Sequence, residues 1–268
     1  MAQPRTLLFW LLLIPLLWWS THAGGYLVHE YAHSFTAWAV GYKADPLALN
    51  YGHLTPGNVA LLRDIDENVE YDPMFAARKG YLAGLVAVAG VLFGNGLLYF
   101  AARRLYSHAQ RRHNEVLVLF ALMLCLMNLG NFWCYVPVRT FATHADMATL
   151  EKGLHASPWW IVIVLGVPFA IAIWHFFTKL LPDACSFLFS GKRPPSAALL
   201  ALSSFTVFVF FGAAGLRGYG ETSRWISASS VCGFFPLVVI LGWPYKAKHG
   251  TSGLVKRSPP NESHSVAV

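Results

Sequence analysis

The sequence predicts an all-α membrane protein of about six transmembrane helices, with a small extramembrane β-hairpin after the first. Three observations carry this. Of 268 residues, 56% are hydrophobic and only 12% charged, whereas a soluble domain is nearer a quarter charged. The apolar residues gather into runs at about 6–41, 80–102, 115–136, 159–181, 197–217 and 227–245. The last five are each close to the ~20 residues that cross a bilayer. The basic residues also group in alternate loops.

The first run is longer than one span needs. Pro15 and the Gly24-Gly25 pair lie inside it and mark where a helix can bend. It reads as one long bent span, with a hairpin of two spans as the alternative. A signal peptide cut after Ala23 is the lesser reading, because the apolar character continues past that residue. The tail 246–268 is rich in Ser, Pro, Lys and His, and reads as a disordered polar segment.

Orientation follows from the basic loops. With Arg103, Arg104, Arg111 and Arg112 inside, alternation also places Arg5, Lys192, Arg193 and the basic tail inside. With Lys179 at a span end, twelve of the twenty basic residues then lie inside, against three acidic ones. Both termini are cytoplasmic in this reading. The net charge of +7 would suggest nucleic acid in a soluble chain. Here the charge sits in short loops with no stacking or basic-helix motif, so nucleic acid is not an expected partner. The four cysteines have no CxxC pair or framework spacing and read as buried free thiols.

The chemistry is concentrated in His29-Glu30-Tyr31-Ala32-His33. On a helix, residues i and i+4 share a face one turn apart. Two imidazoles so placed take adjacent corners of a zinc tetrahedron, and Glu30 reaches the water on the metal as general base. Two His and a Glu in an apolar span are costly unless they are paired or functional. A catalytic zinc needs a third protein ligand. The stretch after the third span offers Asp146, with His144 as rival, and it falls on the same side of the membrane as the C-terminal end of the first span. A helix N-cap is the structural alternative for Asp146.

These residues resemble the site-2-protease class of intramembrane zinc metalloproteases. The resemblance covers about residues 24–150. It rests on His29-Glu30-xx-His33, on an amide-bearing second span and on Asn131…Pro137…Asp146. It implies one zinc ion held by His29, His33 and Asp146, with Glu30 as base and Asn131 as a polar contact for substrate or oxyanion. It implies cleavage of membrane-anchored protein substrates within or near the bilayer. The pattern departs from the class at Met147, where Gly usually follows the ligand Asp, and at Gly90-Val91 in the second span. The Asn131–Asp146 separation is also longer than usual.

Residues 1–158 thus form a metalloprotease-like core, and 159–245 supply three further helices. Leu47, Leu49, Tyr51 and His53, then Val59, Leu61 and Arg63, alternate around Thr55-Pro56-Gly57-Asn58 and predict the β-hairpin. Gly80, Gly84, Gly90, Gly94 and Gly96 predict close helix packing against the zinc helix. Arg139 is a further candidate for a substrate carbonyl or oxyanion, or for a salt bridge. Asn95 and Asn128 read equally as interhelical hydrogen bonds or site groups. The function read from this is an intramembrane zinc protease, with its centre toward the outer side of a bacterial plasma membrane. The alternatives are another zinc-dependent membrane hydrolase acting on a lipid or small molecule, and a non-catalytic metal-handling membrane protein.

Overall fold

The structure is a computed structural model that describes residues 7–242. The polar tail 246–268 lies outside them. Among the described residues, six helices are long and apolar enough to cross a membrane. Helix α1 spans Leu7–Ala39 and is continuous through Pro15, so the two-span hairpin is not formed. At 1.5 Å per residue its 33 residues extend about 50 Å, longer than a ~30 Å hydrocarbon core. Gly25 does not break it. The missing side chain instead lets the third span approach, so that a Cβ there would lie 3.8 Å from Met127 Cβ.

The predicted β-hairpin is absent. Among the described residues the only β pairing is the isolated antiparallel bridge Asn50–Asp66. The Thr55-Pro56-Gly57-Asn58 segment starts a short helix, α2 (Pro56–Leu61), instead of a turn. Thr55 Oγ1 caps it by accepting from Asn58 N, and Pro56 occupies the first turn, where no N–H is needed. The Asn58 side chain then ties the loop together. Its amide donates to the Tyr51 and His53 carbonyls and accepts from Asp64 N. These bonds use the backbone groups that a strand partner would need. Lys43 Nζ closes the base of the loop on the carbonyls of Ala48, Glu67 and Asn68.

The same loop folds back along α1. Ser34 Oγ donates to Pro46 O, Tyr26 OH to Ile65 O, His22 Nε2 to Leu61 O, and Trp19 Nε1 to Val59 O. Leu49, Leu62 and Ile65 pack on Ala23, Tyr26, Leu27 and Tyr31. The loop therefore reaches 20 residues back from the end of α1, about 30 Å along its axis. After it comes a single short turn, α3 (Asp72–Ala76).

Helix α4 (Gly80–Arg111) is the second span and α5 (Glu115–Val138) the third. The second continues nine residues past its predicted apolar end as a basic amphipathic extension. It runs antiparallel to α1: Asn95 meets Gly25, and Val86 meets His33. Helix α5 begins at Asn114, whose Oδ1 accepts from Leu117 N. It runs parallel to α1, with Met127 beside Gly25 and Tyr135 beside His29. It is the most enclosed of the six spans, so the other helices are arranged around it.

Helix α5 is kinked near its end, where Val136 leaves helical geometry ahead of Pro137, which has no N–H to continue the ladder. The chain then turns into α6 (Ala145–Leu154). Helices α7 (Pro158–Phe189), α8 (Arg193–Leu216) and α9 (Glu221–Gly242) complete the set. Phe169 of α7 stacks on Phe132 of α5 at 4.1 Å. Trp133 Nε1 of α5 donates to Ser230 Oγ of α9, which in turn donates to Phe208 O of α8. Large apolar residues such as Leu12, Ile171, Trp174 and Leu241 face outward. Such a surface suits lipid and would be a liability in water. Cys125, Cys134 and Cys185 are buried free thiols as expected, whereas Cys232 is exposed on the outside of α9.

The small-residue packing predicted against α1 is present at Gly90 and Gly94, whereas Gly80 and Gly84 face α6 and place it. A Cβ at Gly153 of α6 would strike Gly80 O and lie 2.8 Å from Gly84 N. These two backbones are therefore in direct contact. Gly153→Val is expected to cost about 1–3 kcal/mol by overpacking. It is also expected to weaken metal binding by displacing α6, although it touches no ligand. Thermal unfolding and chelator competition on the purified protein check both effects; unchanged metal affinity would show that α6 does not position Asp146.

Candidate metal centre

The structure brings His29, His33 and Asp146 together. Nε2 of His29 and Nε2 of His33 are 3.0 Å apart. Asp146 Oδ2 lies 3.6 Å from the first and 3.5 Å from the second. Ligands held about 2.0–2.1 Å from a tetrahedral ion are separated by about 3.3 Å. The three atoms therefore match one face of such a tetrahedron. Both histidines are buried, at 2% and 1% exposure, and Glu30 is buried beside them at 5%.

The hydrogen bonds behind the rings show why this arrangement calls for a cation. His33 Nδ1 lies 2.6 Å from Val86 O. A carbonyl only accepts, so Nδ1 carries the proton. His29 Nδ1 lies 2.6 Å from Asn95 Oδ1. The orientation of the Asn95 amide is set from the other side, because its Nδ2 donates to Gly25 O and to Asn128 Oδ1. Asn128 is fixed in turn, as its Nδ2 donates to Leu124 O. The chain of amides thus ends on backbone carbonyls and leaves Asn95 Oδ1 free to accept. In the neutral form that binds a metal, both imidazoles then present unprotonated Nε2 atoms to each other and to a carboxylate. Three acceptors meet with no donor between them. Partners that fix the tautomer and aim the free nitrogen are the usual outer support of a metal-bound histidine.

The centre is built from four elements. Helix α1 supplies His29, Glu30 and His33, and α4 supplies Asn95 and the Val86 carbonyl. A Cβ at Gly90 would overlap the space of both imidazoles, and one at Gly94 would lie 2.9 Å from His29 Cα. Only glycine lets α4 pass this close. A widened π-helical segment, Gly90–Gly96, runs through these positions. Helix α5 supplies Tyr135, whose ring stacks on His29 at 4.7 Å. Helix α6 supplies Asp146 from its first turn.

The rival residue is elsewhere. His144 is exposed and stacks on Tyr219 at 4.7 Å. Ala145 separates it from Asp146, and its φ of 66° turns the chain sharply between them. Asp146 is not an N-cap: His144 holds that position, and no side chain caps the helix. Asn131 is buried, and its amide donates to Met127 O in its own helix. Arg139 lies between two rings, 5.0 Å from Tyr135 and 4.5 Å from Tyr219, and donates to Tyr219 OH. It makes no salt bridge among the described residues and braces the tyrosine that covers His29. Glu30 is buried and makes no hydrogen bond to another described residue.

Tyr135 and Val86 were not found by sequence reasoning. A tyrosine in an apolar run carries no signal, and a backbone carbonyl carries none at any position. Asn95 and Asn128 were visible as amides in apolar spans, and the structure assigns them both roles at once: they join helices and they orient His29.

Two imidazoles and a carboxylate, with no thiolate, form a donor set that zinc and other first-row divalent ions accept. Asn95→Leu removes the acceptor on His29 Nδ1 and is expected to weaken metal binding about 10–100-fold. A titration against a chelator of known affinity checks this, and equal affinity would discard the proton assignment. Gly90→Ala is expected to remove binding altogether, read as metal content of the purified protein. Compared with protein-family models, with curated proteins and with solved structures, the chain matches none.

Proposed function

We propose that this protein is an intramembrane zinc metalloprotease, similar to the site-2-protease class, that hydrolyses a peptide bond of membrane-anchored substrates. The observation that carries the reading is the triangle of His29 Nε2, His33 Nε2 and Asp146 Oδ2 with the unpartnered carboxylate of Glu30 buried beside it. A zinc ion held by these three side chains would polarise a carbonyl and lower the pKa of coordinated water to about 7.

The protein's own groups do the rest. Asn95 and Val86 O hold both rings in one tautomer. Tyr135 fixes the plane of His29. Glu30 has no competing hydrogen bond, so its carboxylate can take a proton from water and return it to the leaving amine. His33 and His29 lie six and ten residues short of the end of α1, about 9 and 15 Å along the axis. That depth, among helices with lipid-facing exteriors, favours a substrate that is itself in the membrane. The loop that folds back along α1 flanks the same helix, with Ser34, the neighbour of His33, bonded to its Pro46 carbonyl. Asn131 and Arg139 are proposed as polar contacts for substrate or oxyanion, Arg139 acting through Tyr135.

The proposal includes a place and an orientation. The basic end of α4, Arg103–Arg111, lies away from the centre, because α4 passes the two imidazoles at Gly90 and Gly94 and runs on to Arg111. By the positive-inside rule that end faces the cytoplasm with both termini, and the centre lies toward the outer side of a bacterial plasma membrane.

Glu30→Gln is expected to retain one zinc per chain and to lose about 10²–10⁴-fold in cleavage rate. His29→Ala and His33→Ala are expected to lose the metal. In cells, Glu30→Gln is expected to accumulate a full-length membrane protein. Altered lipid with no such accumulation would move the assignment to a lipid hydrolase. Metal content unaffected by either His substitution would remove the centre.

A further inference from the structure

The second span carries another chemically distinct surface at the end opposite the metal centre. Phe100, Arg103, Arg104, Ser107, His108 and Arg111 line a groove of about 550 Å³. Their three- and four-residue spacing puts them on one face of α4. Arg104, His108 and Arg111 are exposed. None of the three arginines has an ion-pair partner among the described residues. The guanidinium of Arg103 lies 5.9 Å from the Tyr106 ring. The nearby acid Asp183 accepts from Tyr106 OH at 2.8 Å and Gln110 Nε2 at 2.6 Å. Lys179 of α7 and Arg103 both act electrostatically on His175, which adds a further basic side chain at this level.

The same face continues toward the membrane interior as exposed apolar surface. Phe100, Leu97 and Phe93 are 66%, 64% and 48% exposed. From Phe93 to Arg111 the helix extends 18 residues, about 27 Å. One stripe therefore presents apolar rings and a leucine below and an array of arginines above.

We propose that this face of α4 binds an anionic phospholipid, its phosphate held by Arg104 and Arg111 with Arg103, Ser107 and His108 around it, and its acyl chains along Phe100, Leu97 and Phe93. A guanidinium presents paired N–H donors that match two phosphate oxygens. A free phosphate would use the arginines and leave the apolar half without a role. A lipid occupies both halves. The inference is independent of the chemistry at the metal centre.

The test is native mass spectrometry of the full chain released from nanodiscs of mixed phosphatidylglycerol and phosphatidylcholine. The wild type is expected to retain phosphatidylglycerol in preference to phosphatidylcholine. Arg104→Gln with Arg111→Gln is expected to reduce that retention roughly tenfold, and Phe93→Ser with Leu97→Ser to reduce it as well. Lys192→Gln with Arg193→Gln removes the same charge at the same end of the bundle and is expected to change nothing. Metal content and thermal unfolding report whether each variant is folded. If the double Gln variant fails to fold, Arg104→Lys with Arg111→Lys takes its place and is expected to give intermediate retention. Equal losses in the Lys192/Arg193 control would reduce the site to general surface charge and overturn the proposal. So would equal retention of both lipids, or displacement of the lipid by inorganic phosphate, which would mark a free-anion site.

Discussion

Three electron-rich atoms meet in the middle of this helix bundle, and none carries a hydrogen toward the others. In a region sheltered from water that is repulsive until a cation enters. The rest of the architecture makes the encounter unavoidable. The protons that could have relieved it are drawn to the far nitrogens by Asn95 and Val86 O. The carboxylate cannot withdraw, because α6 is seated on α4 through Gly153, Gly80 and Gly84. The rings cannot rotate freely, because Tyr135 covers His29 and is itself braced by Arg139.

Glycine sets the distances in this arrangement. At Gly90 and Gly94 it brings α4 against the imidazoles, and at Gly153 it brings α6 against α4. Lipid supplies no hydrophobic drive between helices, so association depends on close backbone approach and interhelical hydrogen bonds. Here both serve the centre. The amide chain from Leu124 O through Asn128 and Asn95 to His29 holds three spans together and ends on a candidate ligand. Packing and ligand orientation are therefore one structural problem, and a substitution in either affects the other.

Much of this was legible in the residues. Six apolar runs became six long helices, because span length is dictated by bilayer thickness and needs no tertiary information. His29, Glu30 and His33 were readable from spacing on a single helix. Asp146 was readable only through topology, and geometry then separated it from His144. The loop was misread for a physical reason. Alternating residues at 47–53 and 59–63 satisfy the strand pattern, but Thr55, Pro56 and Asn58 satisfy helix capping and side-chain-to-backbone bonds locally. Such local bonds compete directly with a strand ladder. The helices run on past the apolar runs that end at 102 and 181, because an amphipathic pattern continues a helix beyond its apolar part.

The Val86 carbonyl holds His33, and it is the one support in the centre that no side-chain exchange at its own position deletes. Half of the outer support is thereby written into the peptide skeleton and the other half into Asn95. Drift at position 86 is chemically silent for His33 as long as the helix keeps its path, whereas drift at position 95 is not. Kin of this chain would therefore show an asymmetric imprint, a constrained amide facing one imidazole and free variation facing the other. A search that demands a polar side chain behind each histidine would pass them by.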